Sequence, residues 1–526
     1  MSESIERVQE RVWEWLGSPR ALRWARWLVV ALSALFVGLF LWAAVKRMLY
    51  PFEVEWIESG MLVSVLRIVH GQGLYVAPTL GYVPYLYTPL YLYVAAGVTK
   101  VVGVAGHGAL YGYGALRLVS TVASLASAVV IYALVKLETE RRVAAIAAAG
   151  LYMACYAVVG GFYDIGRVDA LFVLLLLVAL WLQRKGYPVV AALVWVLAFQ
   201  TKQTVLPLAV LILLAEWRRP RRMIVAIATF LFVTAASVVW LNHATGGWYG
   251  FYIFGVARGL PLVLRQAVLY VPLMVLGPMA AAWATIATAL VMTRAWRQQA
   301  MFYLFVSVAL LGGVWFVEAH KGASGNSLMP VYAWTAVLFG VALARLLEFA
   351  EERSTPRLAL AVLLAAAVQL GAMIYNPGRF VPPQDAVERS QQFVERLRAL
   401  PGDVYVLNHS YDAVLAGKEP HAEGEALGAV LDAKLGKTSE DLRAQLDAAM
   451  AQHRYSVVVV DALETKDTGW GFEREYPLEI SVGLSNYRYL TSQPQWFLLP
   501  CDANARTIKL VTREDSVESR TGCVVP

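Results

Sequence analysis

Charged side chains are scarce in this 526-residue chain: Asp, Glu, Lys and Arg together make up 16% of it, against about 25% in ordinary soluble domains. Hydrophobic residues make up 59%. A soluble globule cannot bury that much apolar surface, so lipid must solvate most of the chain. The net charge of +7 does not indicate nucleic-acid binding, because the basic residues are gathered in short segments between apolar runs, as they are in proteins oriented in a membrane.

Cysteine is also scarce, and none of the three cysteines has the spacing to histidine or to another cysteine that a zinc site requires. The polar C-terminal part lacks a glycine-rich phosphate loop and a nucleophile elbow, and the chain has no internal repeats. Cys155 lies in an apolar run, where a packed core residue is expected. Cys501 and Cys523 are expected to pair if their domain faces an oxidising compartment.

Long apolar runs are what the chain has instead, and they end near Tyr375. A spanning helix takes roughly 20 apolar residues. The eleven predicted spans, of which the fifth and sixth are short, are 27–44, 115–134, 143–159, 170–182, 189–199, 205–214, 224–241, 268–291, 303–317, 331–347 and 358–375. Residues 59–69 and 90–104 are predicted to be amphipathic or re-entrant helices of the first outer loop, because a span at 90–104 would break the charge pattern.

The distribution of lysine and arginine predicts the orientation of the chain. The N-terminal tail and alternate loops carry nineteen of these residues, whereas the loops of the other side and the adjoining helix ends carry nine. The richer side is cytoplasmic by the positive-inside rule. With an odd number of spans, the N-terminus is then cytoplasmic and the C-terminal domain extracytoplasmic, in an inner or plasma membrane.

Composition divides the chain into a basic cytoplasmic tail (1–26), a transmembrane domain (27–375) and an extracytoplasmic α/β domain (376–526). In the last part, the apolar patterns predict helices at 386–400 and 439–449 and strands at 404–407, 456–460, 496–499 and 507–511. The predicted fold is therefore a polytopic α-helical membrane protein with a small α/β domain.

Three carboxylates follow the first span directly, in the sequence Pro-Phe-Glu-Val-Glu-Trp-Ile-Glu at residues 51–58. Crowding and burial raise carboxylate pKa values, which suits a general base. Glu55 and Glu58 are three residues apart and share a face if the segment is helical. Either of them is a candidate base, with Glu53 beside them, and a solvated loop is the alternative interpretation.

A second polar group, Asp164, Arg167 and Asp169, precedes the fourth span. An ionisable residue inside a bilayer needs a partner or a use. Asp169 is placed to cap the following helix, which is compatible with a function, and Arg167 is suited to hold an anionic phosphate.

A third polar group combines residues of two outer loops. Its members are Lys202, Gln203, His320, Lys321 and Asn326. Basic groups at this depth fit a lipid-linked phosphate, and snorkelling of the side chains towards the headgroups is the alternative.

In this order, the motifs resemble those of the GT-C superfamily of membrane glycosyltransferases, which includes the protein O-mannosyltransferases and the lipid A aminoarabinose transferases. The likeness covers roughly residues 27–347. Its parts are the acidic segment, Gly71-Gln72-Gly73-Leu74-Tyr75, Tyr87-Thr88-Pro89-Leu90, Arg117, Arg167-Val168-Asp169 and Thr201-Lys202-Gln203. The family usually has an Asp-Glu pair in the first loop, and this chain departs from that pattern, so the base is either Glu55 or Glu58.

The resemblance implies a GT-C-like fold and transfer of a sugar from a polyprenyl-phosphate donor to an acceptor hydroxyl of a lipid, glycan or protein, with inversion of the anomeric centre. The predicted catalytic residues are Glu55, Glu58 and Asp169. The residues predicted to bind substrate are Glu53, Asp164, Arg167, Lys202, Gln203, His320, Lys321 and Asn326.

The sequence leaves two questions open. Some members of the family use a divalent metal ion and others do not, and Glu55, Glu58 and Asp169 are the oxygen ligands available here. A membrane transporter or lipid flippase is the competing interpretation of the same charges. The lack of internal repeats and the position of the charges at the outer helix ends argue against it.

Overall fold

Helices make up most of the chain before residue 375, and a small sheet follows them, in the computed structural model of the protein. The structure describes residues 14–104, 111–258, 268–269, 271–319, 325–461, 475–482, 487–488, 491–492, 495–511 and 516–521. The predicted fold class, a helical membrane part followed by a small α/β part, is confirmed.

The helical part consists of long helices joined by short turns. The helices are α1 (Pro19–Met48), α2 (Ile57–Val69), α3 (Leu90–Val104), α4 (Tyr113–Thr139), α5 (Arg142–Val158), α6 (Asp169–Arg184), α7 (Pro188–Phe199), α8 (Val205–Leu213), α9 (Pro220–Ala244), α10 (Ala280–Met292), α11 (Arg294–Glu318), α12 (Met329–Glu352) and α13 (Pro356–Ala372). Shorter helical turns are Leu214–Glu216, Trp248–Gly250, Phe251–Val256, Val271–Leu276, Gly325–Leu328 and Pro377–Phe380. Each predicted span overlaps one or more of these segments.

Length and composition qualify several of these helices to cross a membrane. Within the described ranges, the segments that are both long and apolar enough are Pro19–Met48, Tyr113–Thr139, Pro220–Ala244, Met301–Glu318 and Gly325–Glu352. Shorter apolar helices lie between them. The chain is therefore a multi-pass membrane protein. The number of crossings and the side on which each terminus lies stay predictions.

The start of α1 shows how the sequence fixes a helix boundary. Ser18 Oγ accepts a hydrogen bond from the Ala21 backbone N–H at 3.2 Å, and Pro19 stands at the first helical position, where a backbone N–H is not needed. At about 1.5 Å per residue, the 30 residues of α1 extend over about 45 Å. This exceeds the roughly 30 Å of bilayer hydrocarbon, and the acidic segment 51–58 begins just beyond the end of the helix.

Helix α12 lies at the centre of the bundle and is buried along nearly its whole length. It packs against α4, α5, α10, α11 and α13. Helices α1 and α9 leave wide apolar faces exposed, as helices in contact with lipid do. The end of α1, the starts of α4 and α6, and the turn before α12 meet at one end of the bundle.

The two segments predicted as amphipathic pieces of the first loop are helices α2 and α3, and they pack against each other. Met61, Leu62 and Val65 form the buried face of α2. Their spacing of three and four residues is that of a helical apolar stripe. The position of both helices at the membrane surface stays a prediction.

The C-terminal part, from Ala386 onwards, is built on a five-stranded sheet. Its elements are α14 (Ala386–Ala399), β1 (Val404–Val406), α15 (Ser410–Leu415), α16 (Gly424–Ala433), α17 (Lys437–Ala451), β2 (Val457–Val460), β3 (Leu478–Val482), β4 (Tyr487–Arg488), β5 (Thr491–Ser492), β6 (Gln495–Leu499), α18 (Ala505–Val511) and β7 (Ser516–Thr521). The sheet order is β1-β2-β6-β3-β7. Strands β1 and β2 are parallel, and the other neighbours are antiparallel.

The predicted strand at 507–511 is wrong, because these residues lie in α18. Asn504 accounts for the helix: its Oδ1 accepts hydrogen bonds from the backbone N–H of Thr507 at 2.9 Å and from the Thr507 hydroxyl at 3.0 Å. Such a side chain caps the start of a helix. Cys155 is free and buried. Cys501 takes part in a disulfide, and its expected partner Cys523 lies outside the described residues.

The C-terminal part packs directly on the loop between α1 and α4. Helix α15 lies against α2, and α16 lies against Phe251–Val256. Tyr50, Phe52 and Val54 are buried in an apolar cluster with residues of β1, β2 and β6. The acidic segment is therefore enclosed between the helical bundle and the C-terminal sheet.

Candidate active site

Arg117, near the start of α4, holds the backbone that follows α1. Its side chain is buried. Nη1 donates to the carbonyl oxygens of Arg47 and Tyr50 at 2.7 Å each, and Nη2 donates to that of Phe52 at 2.6 Å. The last carbonyl groups of a helix have no partner within it, so Arg117 supplies donors that this end of α1 needs and fixes the direction in which the chain leaves the helix.

Glu58 completes this cluster, and both of its carboxylate oxygens are fully engaged. Oε1 accepts hydrogen bonds from Arg117 Nε at 3.0 Å and from the Gly166 N–H at 2.7 Å. Oε2 accepts hydrogen bonds from Arg117 Nη2 at 2.6 Å and from the Val54 N–H at 2.8 Å. Since an ionised carboxylate offers about four acceptor sites, Glu58 behaves as a structural ion.

Gly166 allows the loop before α6 to approach Glu58 closely. A Cβ atom at this position would lie 2.9 Å from Leu116 Cβ and 3.2 Å from Glu58 Oε1, so a larger residue would push the loop away. The close approach brings the next residue, Arg167, to the acidic segment.

Glu55 pairs with Arg167. Glu55 Oε1 lies 3.0 Å from Arg167 Nη1, and Oε2 accepts a hydrogen bond from the Ile57 N–H at 3.1 Å. Arg167 Nη2 donates to the Tyr87 hydroxyl at 3.0 Å. Glu55 thus has one cation and one amide as donors, and its carboxylate retains acceptor capacity that Glu58 lacks.

Asp169 links this pair to Lys202. Its Oδ1 accepts hydrogen bonds from Lys202 Nζ at 2.7 Å and Asn326 Nδ2 at 3.0 Å, and its Oδ2 lies 3.5 Å from Arg167 Nε. Glu55, Arg167, Asp169 and Lys202 therefore form a continuous row of alternating charge, which we call the charge row. Asp169 is the first residue of α6 and does not cap it through its side chain, contrary to the capping expected from the sequence.

Electrostatics separate the two candidate bases. Burial raises the pKa of Glu55, and Arg167 offsets this effect only in part, so the pKa of Glu55 lies above its ordinary value. Glu58 is equally buried, but Arg117 and the other hydrogen-bond donors outweigh burial and hold the pKa of Glu58 below its ordinary value. A general base works best with a pKa near the operating pH, which favours Glu55.

Comparison with known proteins shows what the helical part resembles. Residues 85–317 match the model of glycosyltransferase family 87. The structure is similar to that of ArnT from Cupriavidus metallidurans bound to undecaprenyl phosphate, with a TM-score of 0.58 and 14% identity over 91% of this chain and 99% of that chain. The chain therefore shares its fold with ArnT, and its helical part resembles glycosyltransferase family 87.

Two further structures are similar to that of this chain. ArnT from Cupriavidus metallidurans in the apo state has a TM-score of 0.58 and 14% identity, over 88% of this chain and 97% of that chain. The oligosaccharyltransferase of Archaeoglobus fulgidus in the apo form has a TM-score of 0.47 and 12% identity, over 85% and 73%. No curated protein matches the chain. The range matched by the family model includes Arg167, Asp169 and Lys202 and begins after Glu55.

Two of the residues predicted to bind substrate contact other residues of the protein. Glu53 contacts His409 of the C-terminal part. Asp164 is fully buried and accepts a hydrogen bond from Arg47 Nη1 at 2.8 Å, which favours a structural role at the end of α1. Substrate binding by Glu53 and Asp164 remains a prediction that their contacts do not favour.

The remaining predicted residues lie at or near the charge row where the structure describes them. Asn326 contacts Asp169, and Gln203 Nε2 donates to the Leu86 carbonyl at 2.7 Å. This bond ties the start of α8 to the residues just before α3. His320 and Lys321 lie outside the described residues.

Three residues that contact the acidic segment or the charge row were not among the predicted site residues. Arg117 carried a signal, since an arginine within an apolar run needs a use. Arg47 looked like an ordinary basic helix end, and Tyr87 was singled out only as part of a motif of the family resemblance.

The residues considered as metal ligands do not fit a divalent ion in the arrangement found. Glu58 is saturated by Arg117 and backbone amides, Asp169 accepts from Lys202 and Asn326, and Glu55 is paired with an arginine. Within the described residues, no group of three or more His, Cys, Asp or Glu side chains is arranged to hold a metal ion.

Proposed function

We propose that this transferase moves a sugar from a polyprenyl-phosphate donor to an acceptor hydroxyl at the outer face of the membrane, with Glu55 as the general base. The charge row carries the proposal, because it places a buried carboxylate beside Arg167 and, through Asp169, near Lys202. The similar ArnT structure contains undecaprenyl phosphate, which supports a polyprenyl phosphate as the leaving group. The acceptor belongs to a lipid, a glycan or a protein.

The reaction proceeds by single displacement. The acceptor oxygen forms a bond to C1 of the sugar while the bond between C1 and the phosphate oxygen breaks. The acceptor proton passes to Glu55, and the electron pair of the broken bond stays with the polyprenyl phosphate. Attack from the face opposite the phosphate inverts the anomeric centre. A phosphate leaves as a stable anion, so a separate proton donor is not required.

The Glu55–Arg167 pair couples proton transfer to charge stabilisation. In the resting state, the guanidinium of Arg167 neutralises the Glu55 carboxylate across 3.0 Å. When Glu55 takes the acceptor proton it becomes neutral, and Arg167 is released to the departing phosphate as that group gains a negative charge. A preorganised cation that acts where charge develops is a large source of transition-state stabilisation.

Asp169 and Lys202 have complementary parts in this proposal. Lys202 is the most exposed member of the charge row, with 12% of its side chain accessible, and supplies a second cation for the phosphate. Asp169 is almost fully buried and contacts both cations. It holds Arg167 and Lys202 side by side, which makes Asp169 a positioning residue for the phosphate site.

Transfer assays with the purified protein in lipid nanodiscs test the proposal. With radiolabelled undecaprenyl-phosphate sugars, Glu55→Gln should lower kcat by about 10²- to 10⁴-fold, the usual contribution of a general base. It should still bind undecaprenyl phosphate, measured as a rise in melting temperature. A Glu55→Gln variant that transfers as fast as the wild type eliminates this base. Failure of the wild type to bind undecaprenyl phosphate eliminates the donor.

A further inference from the structure

Glu55 lies in a segment that the C-terminal part grips from the side opposite Arg117. Phe52 and Val54, on either side of Glu53, are buried against strands of the C-terminal sheet. Arg117 holds the carbonyl of Phe52 from the bundle side. The backbone leading to the proposed base is therefore fixed by two separate parts of the chain.

His409, between β1 and α15, joins the two parts through a buried side-chain contact. Its Nδ1 contacts Glu53 Oε1, and its Nε2 lies 2.6 Å from Asp461 Oδ1. Asn408 Nδ2 donates to Asp461 Oδ2 at 3.0 Å. The imidazole of His409 thus links a carboxylate of the first loop to a carboxylate that follows β2.

Further contacts hold the segment just after Glu55. The Tyr411 N–H donates to Ser59 Oγ at 2.8 Å. A Cβ atom on Gly60 would lie 2.5 Å from Glu423 Cγ, so only glycine allows α2 to approach the C-terminal part this closely. The contacts at Glu53, Ser59 and Gly60 bracket Glu55 on both sides.

We propose that His409 is a positioning residue for Glu55, acting through Glu53 to fix the backbone two residues before the base. This inference rests on the proposed function of Glu55. Replacement of His409 removes the contact that ties Glu53 to the C-terminal part. The backbone of residues 53–55 then loses one of the anchors that fix its position. A misplacement of about 1 Å in a reacting group is enough to lower a rate about 100-fold.

Kinetics of the full-length protein in nanodiscs separate positioning from binding. In His409→Gln, kcat should fall about 10- to 100-fold. The KM for the polyprenyl-phosphate sugar should change by no more than about twofold, because Arg167 and Lys202 are untouched. A fall in kcat/KM that comes entirely from KM would overturn the proposal.

A double-mutant cycle tests the route through Glu53. If His409 acts on Glu55 through Glu53, then Glu53→Gln with His409→Gln should lower kcat no further than the more damaging single variant. Multiplicative losses in the double variant would show independent roles and reject the proposal.

His421 offers a matched control within the C-terminal part. It is also a buried histidine paired with an aspartate, with Nε2 at 2.8 Å from Asp403 Oδ1. His421→Gln should lower the melting temperature and leave kcat within about twofold of the wild type. An equal loss of kcat in His421→Gln and His409→Gln would mean that general loosening of the domain causes the effect.

Hydrogen exchange keeps this inference separate from the proposed function. His409→Gln should speed exchange of the backbone amides of residues 53–60, whereas His421→Gln should not. If wild-type protein shows no sugar transfer, the proposed function fails, and the exchange result still decides whether His409 fixes this segment. Unchanged exchange in His409→Gln refutes the positioning role.

Discussion

Glu55 and Glu58 stand three residues apart and are both buried beside an arginine, yet they have opposite electrostatic properties. Glu58 accepts hydrogen bonds from Arg117 and two backbone amides, and its pKa is lowered. Glu55 accepts from Arg167 and one amide, and its pKa is raised. Depth of burial is the same, so the supply of donors decides which carboxylate is a fixed ion and which is available as a base.

The two arginines differ in the same way. Arg117 donates to three backbone carbonyls and to Glu58, so its contacts define the shape of the first loop. Arg167 contacts the side chains of Glu55, Asp169 and Tyr87, which a ligand is able to displace or share. One arginine therefore holds the backbone around the site, and the other contacts side chains, as the role proposed for Arg167 requires.

The largest effect is expected from breaking the ion pair between Arg117 and Glu58, the carboxylate whose acceptor sites are all occupied. Arg117→Met leaves Glu58 as an unpaired buried charge and removes the donors of three carbonyls, which should lower the free energy of unfolding by about 3–5 kcal/mol. Melting curves in lipid nanodiscs measure the loss. The double variant Arg117→Met with Glu58→Met should recover part of it, because no buried charge is then unpaired. Wild-type melting of Arg117→Met would contradict the structural role.

Glu423 extends the comparison to a third buried carboxylate near α2. Burial raises the pKa of Glu423 from 4.5 to about 7, against the opposing hydrogen bonds from Ser410. The folded state therefore binds the proton more tightly, so the stabilisation is complete below about pH 4.5 and is lost as the pH rises through about 7. This loss of stabilisation between low and high pH amounts to about 3 kcal/mol in the free energy of unfolding.

Replacement of Glu423 makes this dependence measurable. Glu423→Gln should reduce the fall in melting temperature between pH 4.5 and 7. At higher pH, the melting temperature of the variant should exceed that of the wild type. A pH dependence identical to that of the wild type would show that this carboxylate does not titrate in that range.

The pH dependence of sugar transfer tests the role of Glu55, the carboxylate that keeps free acceptor capacity. The proposed base acts when deprotonated, so kcat falls as the pH drops through the pKa of Glu55, which is raised by burial and lowered by Arg167. Arg167→Gln removes the lowering effect. The acid limb of the kcat profile should then move to higher pH, with a loss of about 10- to 100-fold at neutral pH.

Lys202 provides the comparison variant for this measurement. Lys202→Met removes a cation that contacts Asp169 and not Glu55. It should raise the KM for the donor and displace the acid limb less than Arg167→Gln does. Equal displacement by both variants would indicate that the limb reports the charge row as a whole, and Glu55 would lose its assignment.

The sequence sufficed for the features that a bilayer imposes locally. Apolar runs predicted spans that overlap α1 and the helices from α4 to α13, and rare charges near their ends predicted the members of the charge row. The sequence did not distinguish Glu55 from Glu58 as the base, because their difference depends on which arginine pairs with which glutamate in the fold. Arg117 reaches Glu58 across 59 positions of the chain, and Arg167 reaches Glu55 across 112.

Two other predictions from the sequence, the strand at 507–511 and the role of Glu53, also depended on contacts that local patterns do not reveal. The alternating, β-branched run at 507–511 predicts a strand, but the Asn504 cap and the surrounding packing make it a helix. Glu53 looked equivalent to its two neighbours, and only the folding of the C-terminal part onto the first loop gives it His409 as a partner. Long-range pairing of polar groups is not encoded in any local pattern.

The smallest effect is expected at the opposite end of two of the helices that carry the site. Glu138, in the last turn of α4, pairs with Arg184 of α6 at 2.9 Å and accepts a hydrogen bond from the Tyr303 hydroxyl at 3.0 Å. Arg117 and Glu138 are separated by about 32 Å along α4 at about 1.5 Å per residue. This pair is the same chemistry as Arg117–Glu58, placed away from the charge row.

Arg184→Met should therefore lower the melting temperature while kcat stays within about twofold of the wild type. The reason is distance: a charge beyond about three Debye lengths at physiological salt has little influence on the pKa of Glu55. Sugar transfer and melting temperature, measured on the same preparation, check the two expectations. If kcat falls as far in Arg184→Met as in Glu55→Gln, loss of any buried ion pair disables the enzyme, and the contrast between an available and a saturated carboxylate no longer explains where catalysis occurs.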